Sequence, residues 1–160
     1  MSRAHLRANI DGGARGNPGP AGFGVHVVSA GDGALVAGLY GYLGVATNNI
    51  AEYAALLALL EHAGAATPAL LEVRSDSLLL VRQMRGEFKV KDPKLQILHA
   101  AARRLAARLP KVTYAHVPRE ENRDADALAN RAMDERSSNT PIPAVLSSLP
   151  PIATHPKLND

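Results

Sequence analysis

Residues 10–22 read Ile-Asp-Gly-Gly-Ala-Arg-Gly-Asn-Pro-Gly-Pro-Ala-Gly, IDGGARGNPGPAG. A glycine-rich run after an apparent strand has two readings. Either it opens a helix and cradles phosphates, as in a doubly wound fold, or it turns the chain back into a second strand. A P-loop needs Gly-x-x-x-x-Gly-Lys followed by Ser or Thr, and no such lysine is present. A dinucleotide fingerprint needs the glycines to run into a helix, but Pro18 and Pro20 intervene and GFGVHVV follows, an extended pattern. The turn reading accounts for both glycines and prolines. It leaves Asp11 as an acid at the end of the first strand.

From that turn the rest of the layout follows. His5 to Ile10 alternates as a strand. Phe23 to Ser29 and Leu35 to Leu43 read as two more, split by Ala30-Gly31-Asp32-Gly33. Ile50 to Ala63 predicts a strongly apolar helix with Asn49 as N-cap and Gly64 just past its end. Leu70 to Arg74 predicts a strand and Ser77 to Met84 a short helix. Asp92-Pro93 begins a helix running to about Arg108. Its apolar stripe is Leu95, Leu98, Ala102, Leu105 and Leu109. Lys111 to Val117 predicts a fifth strand, and Asn122 to Arg136 a last helix with Ala125, Leu128, Ala129 and Ala132 inward. The order βββαβααβα is that of an α/β fold: a five-stranded mixed sheet, three antiparallel strands and then parallel additions, flanked by helices. Residues 1–136 form the expected domain. Residues 137–160 read as a Pro-rich tail that either stays unstructured or drapes Ile142, Val145, Leu146 and Leu149 over it.

Composition narrows the function classes. The chain has 160 residues, 46% of them hydrophobic and 21% charged, which suits one domain with a real core. No run approaches a membrane span, and the N-terminal residues lack an apolar signal core; the expectation is a cytoplasmic protein with no membrane partner. Without cysteine there is no thiolate metal site. Net charge is +3, and the basic residues are concentrated after Leu71, which fits a polyanionic partner.

Four acids stand out. Asp11 and Asp76 end strands; Glu52 and Asp126 lie in the first turns of helices. Singly, each has a plain structural reading: Glu52 in a capping box with Asn49, Asp76 as a helix N-cap, Asp126 as a surface acid near a helix N-terminus. Together, on one edge of a mixed sheet, four carboxylates would repel one another unless cations sat between them. Oxygen-only donor sets suit Mg²⁺ or Mn²⁺.

Four segments carry a resemblance to type 1 ribonuclease H: Ile10 to Pro20; Thr47-Asn48-Asn49-Ile50-Ala51-Glu52; Arg74-Ser75-Asp76-Ser77; and Glu121-Asn122-Arg123-Asp124-Ala125-Asp126-Ala127-Leu128-Ala129. The resemblance covers about residues 3 to 136 and implies the ribonuclease H-like fold. It implies an endonuclease that cuts the RNA strand of RNA–DNA hybrids by a two-metal-ion mechanism, leaving 5′-phosphate and 3′-hydroxyl ends. Asp11, Glu52, Asp76 and Asp126 would be both the catalytic and the metal-binding residues, taking two Mg²⁺ with Mn²⁺ as a substitute. By the family's pattern Asp11 bridges both ions, Asp126 holds the one that activates water, and Glu52 and Asp76 hold the one near the leaving oxygen. Gly12, Gly13, Asn17, Thr47, Asn48 and Asn49 would contact the hybrid. No small-molecule cofactor is implied, and a monomer is expected. The alternative is a catalytically silent hybrid-binding module, which would gain nothing from acids beside phosphates.

Three departures mark the chain as akin to compact members. The link Pro118-Arg119-Glu120-Glu121 replaces a histidine-containing loop, leaving Arg119 or Glu120 as substitutes and His116 in the strand before it. RGEFKVKDPK, residues 85–94, stands where others carry a basic, tryptophan-rich protrusion; Lys89, Lys91 and Lys94, with Arg103, Arg104 and Arg108, are the remaining handle on phosphates. Leu78 follows Asp76-Ser77 where some members have a polar residue that contacts bases.

Overall fold

The computed structural model describes residues 4–150. Strands β1 (His5–Ala14), β2 (Gly19–Ser29) and β3 (Leu35–Ala46) form an antiparallel meander. They are followed by α1 (Asn48–Ala66), β4 (Leu70–Ser75), α2 (Leu78–Met84), α3 (Pro93–Ala106), β5 (Val112–His116) and α4 (Arg123–Glu135). The sheet order is β3-β2-β1-β4-β5, with β4 parallel to β1 and β5 parallel to β4. The predicted order and the mixed sheet are both present.

The sheet is covered unequally. Leu6, Ala8 and Ile10 of β1 and Phe23, Val25 and Val27 of β2 face one core, in which α1 is buried on nearly all sides. A helix apolar all round must be enclosed, and here the sheet lies on one flank and α3 on another. Inside, the Tyr53 hydroxyl donates to Gln83 Oε1 at 2.6 Å, joining α1 to α2. On the other face α4 lies across β1, β2 and β3. It comes so close that a Cβ on Gly24 would fall on the Ala125 carbonyl oxygen.

Several boundaries differ from those read in the sequence. The glycine-rich run is not a turn from Asp11 onward: β1 continues to Ala14 and β2 already begins at Gly19, so only residues 15–18 turn. Gly12 and Gly13 stay extended because they pair with Phe23 and Gly22 across the ladder. The cap of α1 is Thr47, whose Oγ1 accepts from the Ile50 N–H at 3.2 Å, and not Asn49. Glu52 therefore lies in the second turn and forms no capping box. Gly64 is inside α1, which ends at Thr67 in the left-handed region. Ser77, and not Asp76, caps α2.

The segment after α4 lies on the body of the fold. Tyr40 N–H donates to Asn139 Oδ1 at 2.8 Å, Asn139 N–H to the Tyr40 carbonyl at 3.0 Å, and Asn139 Nδ2 to the Gly38 carbonyl at 2.9 Å. Asn139 thus satisfies three backbone groups on the outer edge of β3, and Ser138 Oγ accepts from Tyr42 N–H at 2.9 Å, so this stretch of the edge is closed to strand pairing. Val145, Leu146 and Leu149 pack on the core beyond it, and Ile142 lies over Gly41. The rest of the expected tail, from Pro151, falls outside the described residues. Asn139→Ala is expected to lower unfolding free energy by about 1 kcal/mol in urea titrations, since two of those bonds are lost at a site water can reach.

Candidate active site

The parallel pairing of β1 with β4 does the first placing. Ile10 is in register with Ser75, so the next residues, Asp11 and Asp76, leave the paired region side by side. Gly12 does the second. With no side chain toward α1, it lets the helix backbone approach at Ala51 and Glu52, and Glu52 reaches the same end of the sheet. The third placing belongs to Asn122, only 1% exposed, at the start of α4. Its Nδ2 donates to the Ile10 carbonyl at 2.9 Å, and its Oδ1 accepts from Asn9 Nδ2 at 3.0 Å. Those bonds pin the first turn of α4, and so Asp126, against β1.

Asp11, Glu52, Asp76 and Asp126 consequently line one cleft of about 530 Å³. Of the residues expected to meet substrate, Gly12, Gly13 and Asn48 line it too; Asn17, Thr47 and Asn49 do not. Asn17 acts from behind: its Oδ1 accepts from Asn48 N–H at 3.0 Å, while Asn48 Oδ1 accepts from Ala14 N–H at 2.8 Å, which ties the 15–18 turn to the start of α1. Thr47 is engaged as the helix cap. Asn49 lies on a separate groove with Leu79, Phe88, Lys89 and Lys91.

Several wall residues were not singled out for the site by the sequence reading. His116, set aside as a strand residue, stands at the end of β5 and lines the cleft beside Arg119. Arg15, Asn130 and Met133 form another part of the wall. Only motif adjacency pointed to any of them.

The electrostatics are those of crowded carboxylates. Burial, the Asp76 charge and a hydrogen bond with Asp126 push Asp11 up to about 8. Burial pushes Glu52 up to about 7, with Ser77 opposing and Asp76 adding. Glu52 Oε2 is buried with no hydrogen-bond partner. Among the described residues no three His, Asp or Glu side chains form a ready-made coordination cage; the acids line a common cleft rather than close on a point. The donor set is nonetheless oxygen-only, and a buried unpartnered carboxylate oxygen is costly unless a cation or a proton meets it. The residues fit hard divalent cations.

The family model described as reverse transcriptase-like matches residues 9–132. The bifunctional protein Rv2228c of Mycobacterium tuberculosis is 47% identical over 127 residues, 78% of this chain and 34% of that protein. The chain thus spans about a third of the length of the mycobacterial relatives it matches. The crystal structure of RNase H1 from the halophilic archaeon Halobacterium salinarum NRC-1 superposes with a TM-score of 0.78 at 44% identity, covering 82% of this chain and 98% of that one. LC11-RNase H1, solved in complex with an RNA/DNA hybrid, superposes with a TM-score of 0.77 at 41% identity, covering 82% and 98%.

Proposed function

The chain belongs to the type 1 ribonuclease H family, and from that premise we propose that it is an endonuclease hydrolysing the RNA strand of RNA–DNA hybrids. The observation that carries this reading is the convergence of Asp11, Glu52, Asp76 and Asp126 on one open cleft, from four elements of the fold. Those four residues would hold divalent cations, Mg²⁺ or Mn²⁺. Bound there, such ions supply an activated water and neutralise the charge that builds on the scissile phosphate.

The protein's own part is placement and recognition. Gly13 and Ala14 present backbone to the cleft with little side-chain bulk, so a ribose can come close, and a 2′-hydroxyl is what separates RNA from DNA at such a site. Arg119 gives the facing wall a positive charge. The groove of Asn49, Leu79, Phe88, Lys89 and Lys91 offers the partner strand an apolar floor and a rim of mixed charge, Lys89 and Lys91 beside Glu87 and Asp92, and Arg82 stacks 5.2 Å over the Phe88 ring. Arg103 lies ten residues along α3 from its start, about 15 Å away. It belongs to a different face, with Lys111 and Tyr114, and does not extend that groove.

End-labelled RNA–DNA hybrid, duplex RNA and duplex DNA, each incubated with Mg²⁺, Mn²⁺ or EDTA, test the reading. Internal cuts in the RNA of the hybrid, absent with EDTA and absent in duplex DNA, are the expected result. Tight hybrid binding with no cleavage under either metal would favour the silent binding module instead.

A further inference from the structure

We propose that Asn130 is a positioning residue for Asp126 and that Arg15 sets its orientation; the proposal rests on the metal-dependent nuclease reading above. Asn130 lies one helical turn beyond Asp126 on α4. Its Nδ2 donates to the Asp126 backbone carbonyl at 3.1 Å and to Asp126 Oδ2 at 3.2 Å. A side-chain amide can present either its oxygen or its NH₂ group in such a place. Here the other end decides. Asn130 Oδ1 accepts from Arg15 Nη2 at 3.3 Å, and a guanidinium can only donate. The oxygen therefore faces Arg15 and the NH₂ group faces Asp126. The reversed amide would aim a carbonyl oxygen at the carboxylate and leave the guanidinium without its acceptor.

Arg15 is itself anchored. Its Nη2 lies 2.6 Å from Asp134 Oδ1, one further turn along α4. The chain Asp134–Arg15–Asn130–Asp126 thus runs from the surface into the cleft, and its last three members all line it. None of these side chains is fully buried, so packing alone does not explain the arrangement. Asn130 engages one carboxylate oxygen of Asp126 and so fixes the direction in which the other faces. Groups that orient metal-binding carboxylates in this way affect affinity and turnover by about 10- to 100-fold. Arg15 stands on the turn that follows β1, so this turn and the fourth acid are mechanically joined.

The full chain and its Asn130→Ala, Arg15→Met and Arg15→Lys variants should be compared in three measurements. These are calorimetric titration of the free protein with Mn²⁺, kcat and KM on hybrid across a Mg²⁺ series, and melting temperature. Asn130→Ala is expected to weaken Mn²⁺ binding about 10-fold or more. Its kcat should fall at limiting Mg²⁺ and recover in part at high Mg²⁺, with KM changed less than about twofold and melting little altered. Arg15→Met should shift the same quantities by less, and Arg15→Lys, which can still donate to the amide oxygen, should restore most of that loss. Asn130→Ala that binds Mn²⁺ and turns over like the parent overturns the proposal, as does a loss confined to KM. Arg15→Lys as impaired as Arg15→Met overturns the role given to Arg15. A parent chain that neither takes up Mn²⁺ nor cuts hybrid removes the nuclease reading, and this inference with it.

Discussion

Asp11→Asn is expected to lower hybrid cleavage by roughly 10³-fold or more, about 4 kcal/mol of barrier, while raising the melting temperature of the metal-free protein at alkaline pH. The first effect follows from removing the acid that stands beside Asp76 and Asp126 in the cleft. The second follows from the cost of its charge. Folded Asp11 titrates at about 8 against an ordinary 3.8, and Glu52 at about 7 against 4.5, so the folded state holds both protons more tightly than the unfolded state. The stability those protons confer is fully present below the ordinary carboxylate range and is lost as pH rises through about 7 to 8. In EDTA the parent should therefore melt progressively lower from pH 5 to pH 8 and level off near pH 9. Asn cannot ionise, so the variant should keep the Asp11 share of stability, and the gap between the two should widen over that interval. Mn²⁺ should raise the parent's melting temperature at pH 8 far more than the variant's. A parent whose melting temperature does not change from pH 5 to pH 9 would contradict the crowding of these carboxylates.

Much of this site could be read before any coordinates, but not by weighing residues one at a time. The plain readings of Glu52 and Asp76 as capping residues each failed on a neighbour: Thr47 caps α1 and Ser77 caps α2. What identified the acids was their joint occurrence in four segments in order. The helices were legible because burial of α1 demands an apolar surface all round, and α3 and α4 show one-sided stripes with Asp92-Pro93 and Asn122 near their starts. The strand ends around Asp11 were misread for a physical reason. Glycines there answer to close packing of α1 and α4 on the sheet, and a sequence shows the same letters for a turn. Asn122, Asn130 and Arg15 were out of reach in a different way. Asn122 and Arg15 each reach an element distant in sequence, and the local bond of Asn130 to Asp126 gains its orientation only from Arg15, so all three depend on β1 and α4 being in register.

Gly12→Ala should destabilise the fold by about 3 kcal/mol or more in urea titrations. A Cβ there would fall on the Ala51 carbonyl and lie 2.5 Å from the Glu52 backbone nitrogen. A clash with a flexible side chain is relieved by a rotamer change; one with helix backbone needs α1 to lift or β1 to bend. Either movement separates Glu52 from Asp11 and Asp76, so any folded fraction should also cut hybrid more slowly. Two other glycines make the comparison sharp. Gly13, the next residue of the same strand, has Asn48 Oδ1 at 3.7 Å as the nearest atom to a Cβ, so Gly13→Ala should fold with little loss. Gly64, inside α1 with open space around it, should gain about 0.5–1 kcal/mol as Ala, because helix propensity acts there unopposed. Gly12→Ala as stable as Gly13→Ala would mean that α1 does not sit against β1 at the site. The route by which Glu52 reaches the other three acids would then have to be drawn differently.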